Sequence, residues 1–442
     1  MNYIDYIETL SKKEYIGQKP GLNRIRKILK LLDNPQEKYP VIHITGTNGK
    51  GSTALMIYSI LIEAGYKVGL YTSPHIVDFR ERIRINDKLI TLSEINKIMR
   101  TIFKYPITNE LTYFELMTSL AFKYFESEKV DFVVSEVGLG GKYDATNIVN
   151  RPVVSIITSI DYDHIDYFGN KLESIAYEKS GIIKPKVPVI INTNYKKIND
   201  IIKNVCNKKK SSMYSLGKDF YYKYFKTDWE RKRQLFSYFG LYTEYKNLWL
   251  SLLGRHQLDN ASLALACIEI LNKNYSIIIK EKNIYDSLKT VYWQGRFEIF
   301  DYKKNNHKLT VILDGAHNPA GAKVLKRTIL ESPYIKKGIT FVMSILKDKD
   351  YKNICKILSP IAKKIIIFKS DSPRALNQNI LKKIWEKYLP YDKIFVVDNF
   401  NQFLQKLDTN DKVVCITGSL YGIGMAIKYL KSITKYRGRI NG

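Results

Sequence analysis

The segment from 41 to 53, VIHITGTNGKGST, constrains the fold of this chain more than any other stretch. Val41–Thr45 is a short β-branched run, typical of a buried strand, and the apolar periodicity that follows predicts a helix over 53–64. Three glycines between them permit a tight turn that aims backbone N–H groups at an anion, and the helix start adds its positive dipole end. Strand, glycine turn and helix in this order predict a phosphate-binding loop in an α/β fold.

The spacing within this loop differs from that of the general P-loop, in which four residues separate the first glycine from the Gly-Lys pair. Here only two residues follow Gly46 before that pair, and Gly51 stands between Lys50 and Ser52. This variant spacing is compatible with fewer classes of nucleotide-binding protein than the general P-loop spacing. We expect Lys50 to reach the outer phosphates and the Ser52 hydroxyl to hold Mg²⁺.

Composition sets the broad class of the protein. With 442 residues the chain is too long for one compact core and predicts two domains, or three. No apolar run is long enough for a membrane-spanning helix, and the N-terminus lacks the apolar region and cleavage site of a signal peptide. The four cysteines are scattered without a CxxC pair, so neither a disulfide framework nor a zinc site is expected, and a cytoplasmic location fits.

The net charge of +28 is typical of some nucleic-acid-binding proteins. Here the excess comes mostly from lysines spread along the whole chain, whereas a nucleic-acid binder more often concentrates its basic residues on one element or tail. We therefore interpret the charge as surface composition that also attracts ATP and polyanionic substrates. Neither nucleic acid nor a membrane is expected as a partner.

Strand and helix patterns alternate through the first half of the chain. Strands separated by helices imply a mostly parallel sheet covered on both faces. The strands predicted in this part lie at 41–45, 67–71, 130–136, 152–159 and 187–192, and helices lie at 92–103 and 112–125.

Two segments interrupt the alternation. The aromatic-rich stretch 205–250 predicts antiparallel strands or a hairpin inserted in the first domain, and after a helix at 258–271 the segment 291–300, VYWQGRFEIF, is the candidate linker. We expect a P-loop ATP-binding domain over 1–294 and a Rossmann-like α/β domain over 295–442. The strands predicted in the second domain lie at 309–313, 339–344, 364–368, 393–397 and 412–416.

Polar residues fall at the carboxyl ends of several predicted strands, where ligands collect in open α/β sheets. Glu136 ends one strand, and its carboxylate suits Mg²⁺ together with phosphate oxygens. His164 follows another strand, and the residues alone leave open whether it is structural, acid/base or a ligand. Asp314 and His317 follow a strand of the second domain, either as a helix cap or as part of a site. Arg296, in the candidate linker, stands where a hinge would bring its guanidinium onto a phosphate.

Several motifs then occur in one order: ITGTNGKGST, YTSPHIVDFRERIRIN (71–86), SEVGLGGKYDATN (135–147), DHIDYFGN (163–170), YEKSGIIKP (177–185), GRHQLDNASLA (254–264), QGRFE (294–298), DGAHNP (314–319) and TGSLY (417–421). Through these motifs the chain resembles the folylpolyglutamate synthase and dihydrofolate synthase family, a branch of the Mur ligase superfamily, over essentially its whole length. The resemblance departs from the usual family pattern at Gln294, where a proline is common, and at Ser180, where an alanine is frequent. Neither departure removes a functional group.

The resemblance implies an ATP-dependent amide ligase. In this family a substrate carboxylate attacks the γ-phosphate of ATP to form an acyl phosphate, and the amine of L-glutamate then displaces phosphate. Dihydropteroate and the terminal glutamate of folates are the implied acceptors, with folate extension alone as the alternative. Domain closure would keep water from the acyl phosphate. The family is typically monomeric.

The resemblance also assigns residues, motif by motif. The residues implied in catalysis are Lys50, Lys179, Arg296 and His317. Those implied in ATP binding are Thr47, Asn48, Gly49, Lys50, Gly51, Ser52, Thr53, Asn260, Arg296, Asp314 and His317. Those implied as ligands of two Mg²⁺ ions are Ser52, Glu136, His164 and Lys179, the lysine as a carbamate. Those implied around the pterin, the glutamate and the acyl phosphate are Ser73, His75, Arg82, Thr112, Phe114, Asp144 and Ser419.

Other classes of protein would show different sequence features or activities. A cell-wall ligase of the same superfamily would carry a sugar-nucleotide domain before its phosphate-binding loop, whereas only about forty residues precede this one. A simple P-loop phosphotransferase or GTPase would explain the loop but not a second α/β domain with DGAHNP. A basic nucleic-acid-binding protein would bind generic DNA with a steep salt dependence and no turnover.

Overall fold

Strands and helices alternate through most of the chain, as the sequence pattern predicts. The computed structural model describes residues 3–11, 21–193, 195–275, 277–304 and 307–433. Its strands are β1 Val41–Thr45, β2 Val68–Tyr71, β3 Ile83–Ile85, β4 Lys88–Leu89, β5 Phe132–Glu136, β6 Val154–Ile157, β7 Val189–Ile191, β8 Met213–Ser215, β9 Tyr221–Asp228, β10 Arg233–Phe239, β11 Glu244–Leu250, β12 Glu298–Lys304, β13 His307–Leu313, β14 Ile339–Met343, β15 Ala362–Ile367, β16 Ile394–Val396 and β17 Val413–Thr417. Its α-helices are α1 Tyr3–Ser11, α2 Asn23–Leu31, α3 Lys50–Glu63, α4 Leu92–Ile102, α5 Tyr113–Ser127, α6 Ile165–Phe168, α7 Leu172–Ser180, α8 Lys196–Lys209, α9 Arg255–Tyr275, α10 Glu281–Thr290, α11 Pro319–Leu330, α12 Tyr351–Leu358, α13 Gln378–Trp385 and α14 Leu420–Ile433.

An eight-stranded sheet in the order β4-β3-β2-β5-β1-β6-β7-β8 forms the centre of what we call the first lobe. Strand β1 lies between β5 and β6 and is parallel to both, and all five of its residues are buried. This burial explains the β-branched composition, because helices cover both faces of a parallel sheet. Helices α3 and α9 pack on one face, and α2, α4 and α5 pack on the other. The prediction of a mostly parallel sheet is confirmed, apart from an antiparallel edge at β3 and β4.

A three-stranded antiparallel sheet, β11-β10-β9, accounts for most of the aromatic-rich stretch. Phe236, Tyr238 and Leu248 of this sheet are fully buried against α9 and the core of the first lobe. The prediction of antiparallel strands is confirmed from Tyr221 onward. It is wrong before that point, because 205–209 ends helix α8 and β8 pairs in parallel with β7 of the large sheet.

A six-stranded sheet in the order β12-β13-β17-β14-β15-β16 forms the centre of the second lobe. The neighbouring strands β13, β17, β14, β15 and β16 run parallel, and β12 pairs antiparallel with β13 at the edge. The candidate linker 291–300 is therefore partly a strand, since β12 begins at Glu298. Ile299 and Phe300 at the start of β12 have high β propensity, and β13 is buried from Leu309 to Leu313, which makes this pairing favourable. The predicted α/β fold class is confirmed, and the boundary between 294 and 295 stays a prediction.

Two further properties of the described residues bear on the sequence analysis. No helix among them is both long and apolar enough to cross a membrane. Cys206, Cys267, Cys355 and Cys415 are all buried and free. Burial raises the pKa of the Cys206 thiol to about 11 and that of Cys355 to about 12, so these side chains stay protonated at neutral pH.

Candidate functional site

A cavity of about 940 Å³ lies between the two lobes, at the carboxyl ends of their parallel strands. It brings together most of the residues singled out in the sequence, from positions far apart in the chain. The predicted residues that line it are Thr47, Asn48, Gly49, Lys50, Gly51, Ser52, Ser73, Arg82, Thr112, Phe114, Glu136, Asp144, His164, Asn260, Arg296, Asp314, His317 and Ser419. Thr53, His75 and Lys179 do not line it.

The glycine-rich loop depends on its glycines for two separate reasons. Gly49 has φ +86°, a conformation that side chains disfavour, and a Cβ there would lie 2.3 Å from Asn260 Oδ1. A Cβ at Gly46 would lie 2.0 Å from Thr158 Oγ1. The loop is thus packed directly against β6 and α9, and Asn260 is positioned by contact with the loop itself.

The backbone N–H groups of this loop are used differently from the sequence-based expectation. Thr47 N donates to Ser159 O at 2.9 Å, and Asn48 N donates to Ser159 Oγ at 2.9 Å, so these two groups anchor the loop to the segment after β6. The first turn of α3 supplies the remaining N–H groups, from Lys50 to Ser52, because a helix has no internal acceptor for them. The anion-binding end of the loop is therefore its helix start.

Lys50 and Glu136 face each other at the centre of the cavity. The Lys50 ammonium donates to Gly46 O at 3.0 Å and lies 4.0 Å from Glu136 Oε1. Glu136 Oε2 accepts the Ser73 N–H at 3.1 Å. Burial raises the pKa of the Glu136 carboxyl, and the nearby Lys50 charge opposes that rise.

The oxygen atoms here suit a hard cation. Ser52 and Glu136 are both buried at the cavity wall, and hydroxyl and carboxylate oxygens are ligands that Mg²⁺ prefers. Within the described ranges, no three acidic, histidine or cysteine side chains converge into a complete metal cage. Mg²⁺ at this wall would take its other ligands from phosphate oxygens and water, as Mg²⁺ sites at nucleotides commonly do.

Asp163 forms the main ionic contact between the lobes. Its Oδ1 accepts from Lys349 Nζ at 2.8 Å, its Oδ2 accepts from Asn318 Nδ2 at 3.1 Å, and His317 Nε2 lies 3.9 Å away. Burial works against the charged carboxylate, but His164 and the Lys349 ammonium outweigh burial and lower the pKa of Asp163. The sequence analysis missed Asp163 and Lys349 as site residues, although both follow strands, β6 and β14, at the carboxyl edge.

A second contact between the lobes starts at the phosphate-binding loop. Asn48 Nδ2 donates to Asn318 Oδ1 at 3.3 Å, and Asn318 Nδ2 donates back to Asn48 Oδ1 at 3.1 Å. Asn318 is also the N-cap of α11, since its Oδ1 accepts the Gly321 N–H at 2.8 Å. The helix-cap interpretation of the DGAHNP motif therefore applies to Asn318, and the same amide joins the two lobes.

Arg296, Asp314 and His317 lie together on the second-lobe side. Asp314 accepts the N–H groups of Phe297 at 3.0 Å and Ala316 at 2.9 Å. Burial raises the pKa of Asp314, opposed by Arg296, whose guanidinium lies against Gly315. His317 Nδ1 lies 2.8 Å from Gly315 O, and burial together with Lys349 lowers the His317 pKa to about 4.

Lys179 and His164 lie beside the phosphate-binding loop. Lys179 is on α7 and lines a small cavity of about 20 Å³ with Thr47, Lys50 and Asp163. Burial, and next the charge of Lys50, lower the pKa of the Lys179 ammonium to about 7. Burial also lowers the pKa of His164 to about 3, so its imidazole is neutral at pH 7.

The wall opposite the second lobe carries Thr112, Phe114 and Asp144. Thr112 caps α5, and the Phe114 ring lies against Gly138, where a Cβ would be 2.5 Å from Phe114 Cζ. Asp144 accepts the Leu139 N–H at 2.9 Å. This wall therefore combines an aromatic ring with two buried carboxylates, Asp144 and Glu115.

The remaining predicted substrate residues differ in their positions. Arg82 is 1% exposed, and its Nε donates to His75 Nδ1 at 3.0 Å. His75 therefore lies behind Arg82, outside the cavity wall, and burial and Arg82 lower the His75 pKa to about 3. Ser419 accepts the Gly422 N–H at 3.0 Å at the start of α14. Thr53 is fully buried and does not line the cavity.

Comparison with known proteins gives a consistent result over the whole chain. Residues 44–268 match the Mur ligase middle domain, and residues 295–420 match the Mur ligase glutamate ligase domain. The dihydrofolate synthase/folylpolyglutamate synthase of Bacillus subtilis is 36% identical, over 94% of this chain and 96% of that protein. The solved folylpolyglutamate synthase of Thermotoga maritima is 35% identical with a TM-score of 0.83, covering 98% of both chains. The solved E. coli FolC in complex with DHPP and ADP is 27% identical with a TM-score of 0.86, also covering 98% of both chains.

Proposed function

This chain belongs to the Mur ligase family and, within it, to the dihydrofolate synthases and folylpolyglutamate synthases, and from that premise we propose that it is an ATP-dependent ligase that adds L-glutamate to dihydropteroate and to the terminal glutamate of folates. The observation that carries the proposal is the cavity between the lobes, which is lined by Lys50 of the first lobe and by Arg296 and His317 of the second. A phosphotransferase that used the loop alone would need no such second wall.

The chemistry follows from the poor reactivity of a carboxylate. One oxygen of the substrate carboxylate attacks the γ-phosphorus of ATP, and the bond to ADP breaks, which leaves an acyl phosphate and ADP. The glutamate amine then attacks the acyl carbon, phosphate leaves, and the amine loses a proton. Lys50 and Arg296 supply positive charge where the phosphoryl oxygens develop negative charge.

ATP binding is proposed for the residues around the glycine-rich loop. The helix start of α3 and Lys50 would hold the phosphates, and Asn260 lies against Gly49 on the opposite side of the loop. The residues that we propose for ATP are Thr47, Asn48, Gly49, Lys50, Gly51, Ser52, Asn260, Arg296, Asp314 and His317, with Thr53 acting only through the position of α3.

Ser52 and Glu136 would hold one Mg²⁺, and His164 with a carbamate of Lys179 would hold a second. Bound Mg²⁺ neutralises phosphate charge during transfer. A pKa of about 7 supports the carbamate, because it leaves a large fraction of the Lys179 amine uncharged and able to add to CO₂ at neutral pH. We expect ¹³C-bicarbonate to give a carbamate carbonyl NMR signal in the wild-type protein and none in Lys179→Arg. The same spectrum in both proteins would remove the carbamate from the proposal.

The folate side is proposed for Thr112, Phe114 and Asp144, where the aromatic ring can stack on a pterin and the carboxylate can accept its ring N–H groups. We assign Ser73, Arg82 and Ser419, which line the cavity, to glutamate and the acyl phosphate, with His75 in support of Arg82. A monomer in the cytoplasm is part of the same proposal, and the free, buried cysteines suit a reducing compartment.

One assay tests the proposal. Purified protein is incubated with MgATP, L-glutamate and one acceptor, which is dihydropteroate in one reaction and tetrahydrofolate in another. The products are identified by mass spectrometry. We expect a glutamate adduct of each acceptor, with ADP accumulating over many turnovers only when both the acceptor and glutamate are present. Activity on tetrahydrofolate alone would reduce the enzyme to a folylpolyglutamate synthase. ADP formation that ignores both substrates would favour the phosphotransferase alternative.

A further inference from the structure

The carboxylate of Asp144 is held by a chain of hydrogen bonds that begins in the core of the first lobe. Thr146 Oγ1 lies 2.5 Å from Asp144 Oδ1. On its other side, the same hydroxyl lies 2.8 Å from His43 Nε2. His43 is in the middle of β1, three residues before the phosphate-binding loop, and is 0% exposed.

One arrangement of protons satisfies this chain. The Thr146 hydroxyl has a single hydrogen, and an ionised Asp144 can only accept. Without a hydrogen between them, two oxygens 2.5 Å apart would repel, so Thr146 donates to Asp144. His43 must then donate its Nε2–H to the Thr146 oxygen, which leaves Nδ1 unprotonated. Among the described residues Nδ1 is buried without a hydrogen-bond partner, so the opposite tautomer would bury an N–H with no acceptor.

The imidazole is neutral as this arrangement requires. Burial, and next the charge of Lys184, lower the pKa of His43 to about 3. The chain therefore has a fixed direction at neutral pH, from His43 through Thr146 to Asp144.

We propose that His43 is a positioning residue for substrate binding, which fixes the Thr146 hydroxyl so that Asp144 stays an acceptor toward the ring N–H donors of a pterin-type substrate. The inference rests on the proposed function, because it explains how Asp144 would perform the role proposed for it. His43 touches neither the cavity nor the reacting atoms, and it acts through Thr146.

Other groups around the chain define its pH dependence. Asp144 also accepts from the backbone N–H groups of Leu139, Thr146 and Gly138, and the titratable side chains that interact electrostatically with it are Lys179 and Tyr71. Burial raises the pKa of Tyr71, so its phenol stays neutral. Burial raises the pKa of Asp144 to about 6, and the Thr146 hydrogen bond opposes that rise. Weakening this bond should therefore move the Asp144 pKa further upward.

Matched substitutions at His43 test the inference. His43→Leu removes the donor at similar volume, whereas His43→Gln retains an N–H group in the place of Nε2–H. We expect His43→Leu to raise the KM for dihydropteroate about tenfold, because a hydrogen bond toward a charged group is weakened, with the KM values for ATP and glutamate unchanged. The acid limb of kcat/KM should move up by about one pH unit in His43→Leu and stay in place in His43→Gln.

Substitutions at Thr146 complete the test. Thr146→Val should reproduce the His43→Leu phenotype, Thr146→Ser should preserve activity, and the double variant His43→Leu/Thr146→Val should add little, because both act on one carboxylate. An unchanged KM for dihydropteroate and an unmoved acid limb in His43→Leu would overturn the inference. Equal losses for all three substrates would also overturn it, since they indicate general damage to β1.

A second measurement does not depend on turnover. Nitrogen-15 NMR of histidine-labelled protein should include, besides the His75 signals, an imidazole with protonated Nε2 and unprotonated Nδ1 that does not titrate between about pH 5 and 8. Loss of these signals in His43→Gln identifies them among the six histidines. A protonated Nδ1, or titration in that interval, would contradict the inference. If the wild-type protein shows no glutamate-dependent turnover, the proposed function fails, and this spectrum still decides the state of His43.

Discussion

At the scale of single residues, Lys50 places a positive charge in the wall of the cavity. It is mostly buried, and its ammonium contacts loop carbonyls and Glu136, so a phosphate entering the cavity would meet a positioned charge. We expect Lys50→Ala to lower kcat/KM for ATP at least about 100-fold, because a preorganised donor to the transferring phosphoryl group is lost. Steady-state kinetics test this, with Lys88→Ala on the exposed edge strand β4 as the control. Near-normal rates in Lys50→Ala would remove Lys50 from catalysis.

The protonation of Asp144 should make the activity with dihydropteroate depend on pH. Its pKa is raised to about 6 by burial, so the carboxylate gains a proton as pH falls through 6 and can no longer accept from a pterin N–H. We expect kcat/KM for dihydropteroate to decline below about pH 6, while Asp144→Asn shows a low value without that limb. The kcat/KM for ATP at saturating pterin is the internal comparison. A limb that persists in Asp144→Asn would assign it to another group.

At the scale of elements, two glycines flank helix α3 and share a positive-φ backbone conformation, Gly49 before the helix and Gly65 after it. Gly49 has φ +86° and no room beside Asn260, whereas Gly65, just after α3, has φ +92° and open space. Gly65→Ala should destabilise the fold by about 1 kcal/mol through backbone strain alone, with normal ATP binding. Gly49→Ala should add a steric conflict and weaken ATP binding. Urea unfolding and ATP titration separate the two effects, and equal ATP affinities would show that the Asn260 contact is unimportant.

The elements also show what the sequence could and could not predict. β1 and its helix were predictable because β-branched burial and apolar periodicity are local properties of the chain. β12 was not, because Glu298–Lys304 becomes a strand only by pairing with β13, and the QGRF segment before it resembles a linker. The roles of the Thr47 and Asn48 N–H groups were also beyond prediction, because both groups donate to Ser159, in the segment after β6.

The same distinction between local and long-range information applies to the residues of the candidate site. Lys50, Glu136 and Arg296 could be named because each carries a charge in a recognisable motif. The roles of Asp163 and Lys349 required the three-dimensional structure, because their partners lie 186 positions apart in the sequence. Two residues that meet only across the lobes have no local sequence pattern that would reveal their contact.

At the scale of the whole molecule, the buried pair of Asp163 and Lys349 holds the two walls of the cavity together. We expect Lys349→Ala to destabilise the contact between the lobes by about 3 kcal/mol, because an unpaired carboxylate remains buried. kcat for ligation should fall strongly, while nucleotide affinity at the first lobe changes little. Lys382→Ala, which removes a half-exposed 3.9 Å pair on α13, is the control.

A double substitution sharpens this prediction. Asp163→Asn/Lys349→Gln removes both charges at once, so it should recover part of the stability lost in Lys349→Ala. Small-angle X-ray scattering would report any opening of the lobes in the single variant. Independent, additive losses in the double variant would show that the pair does not act as a unit.

The four buried, protonated thiols make this enzyme convenient for optical work. Maleimide dyes react with thiolates that solvent can reach, so the native cysteines should remain unlabelled while the protein is folded. One new surface cysteine on each lobe would then accept a donor and an acceptor fluorophore without prior removal of the natural ones. Single molecules could be watched as they open and shut around nucleotide.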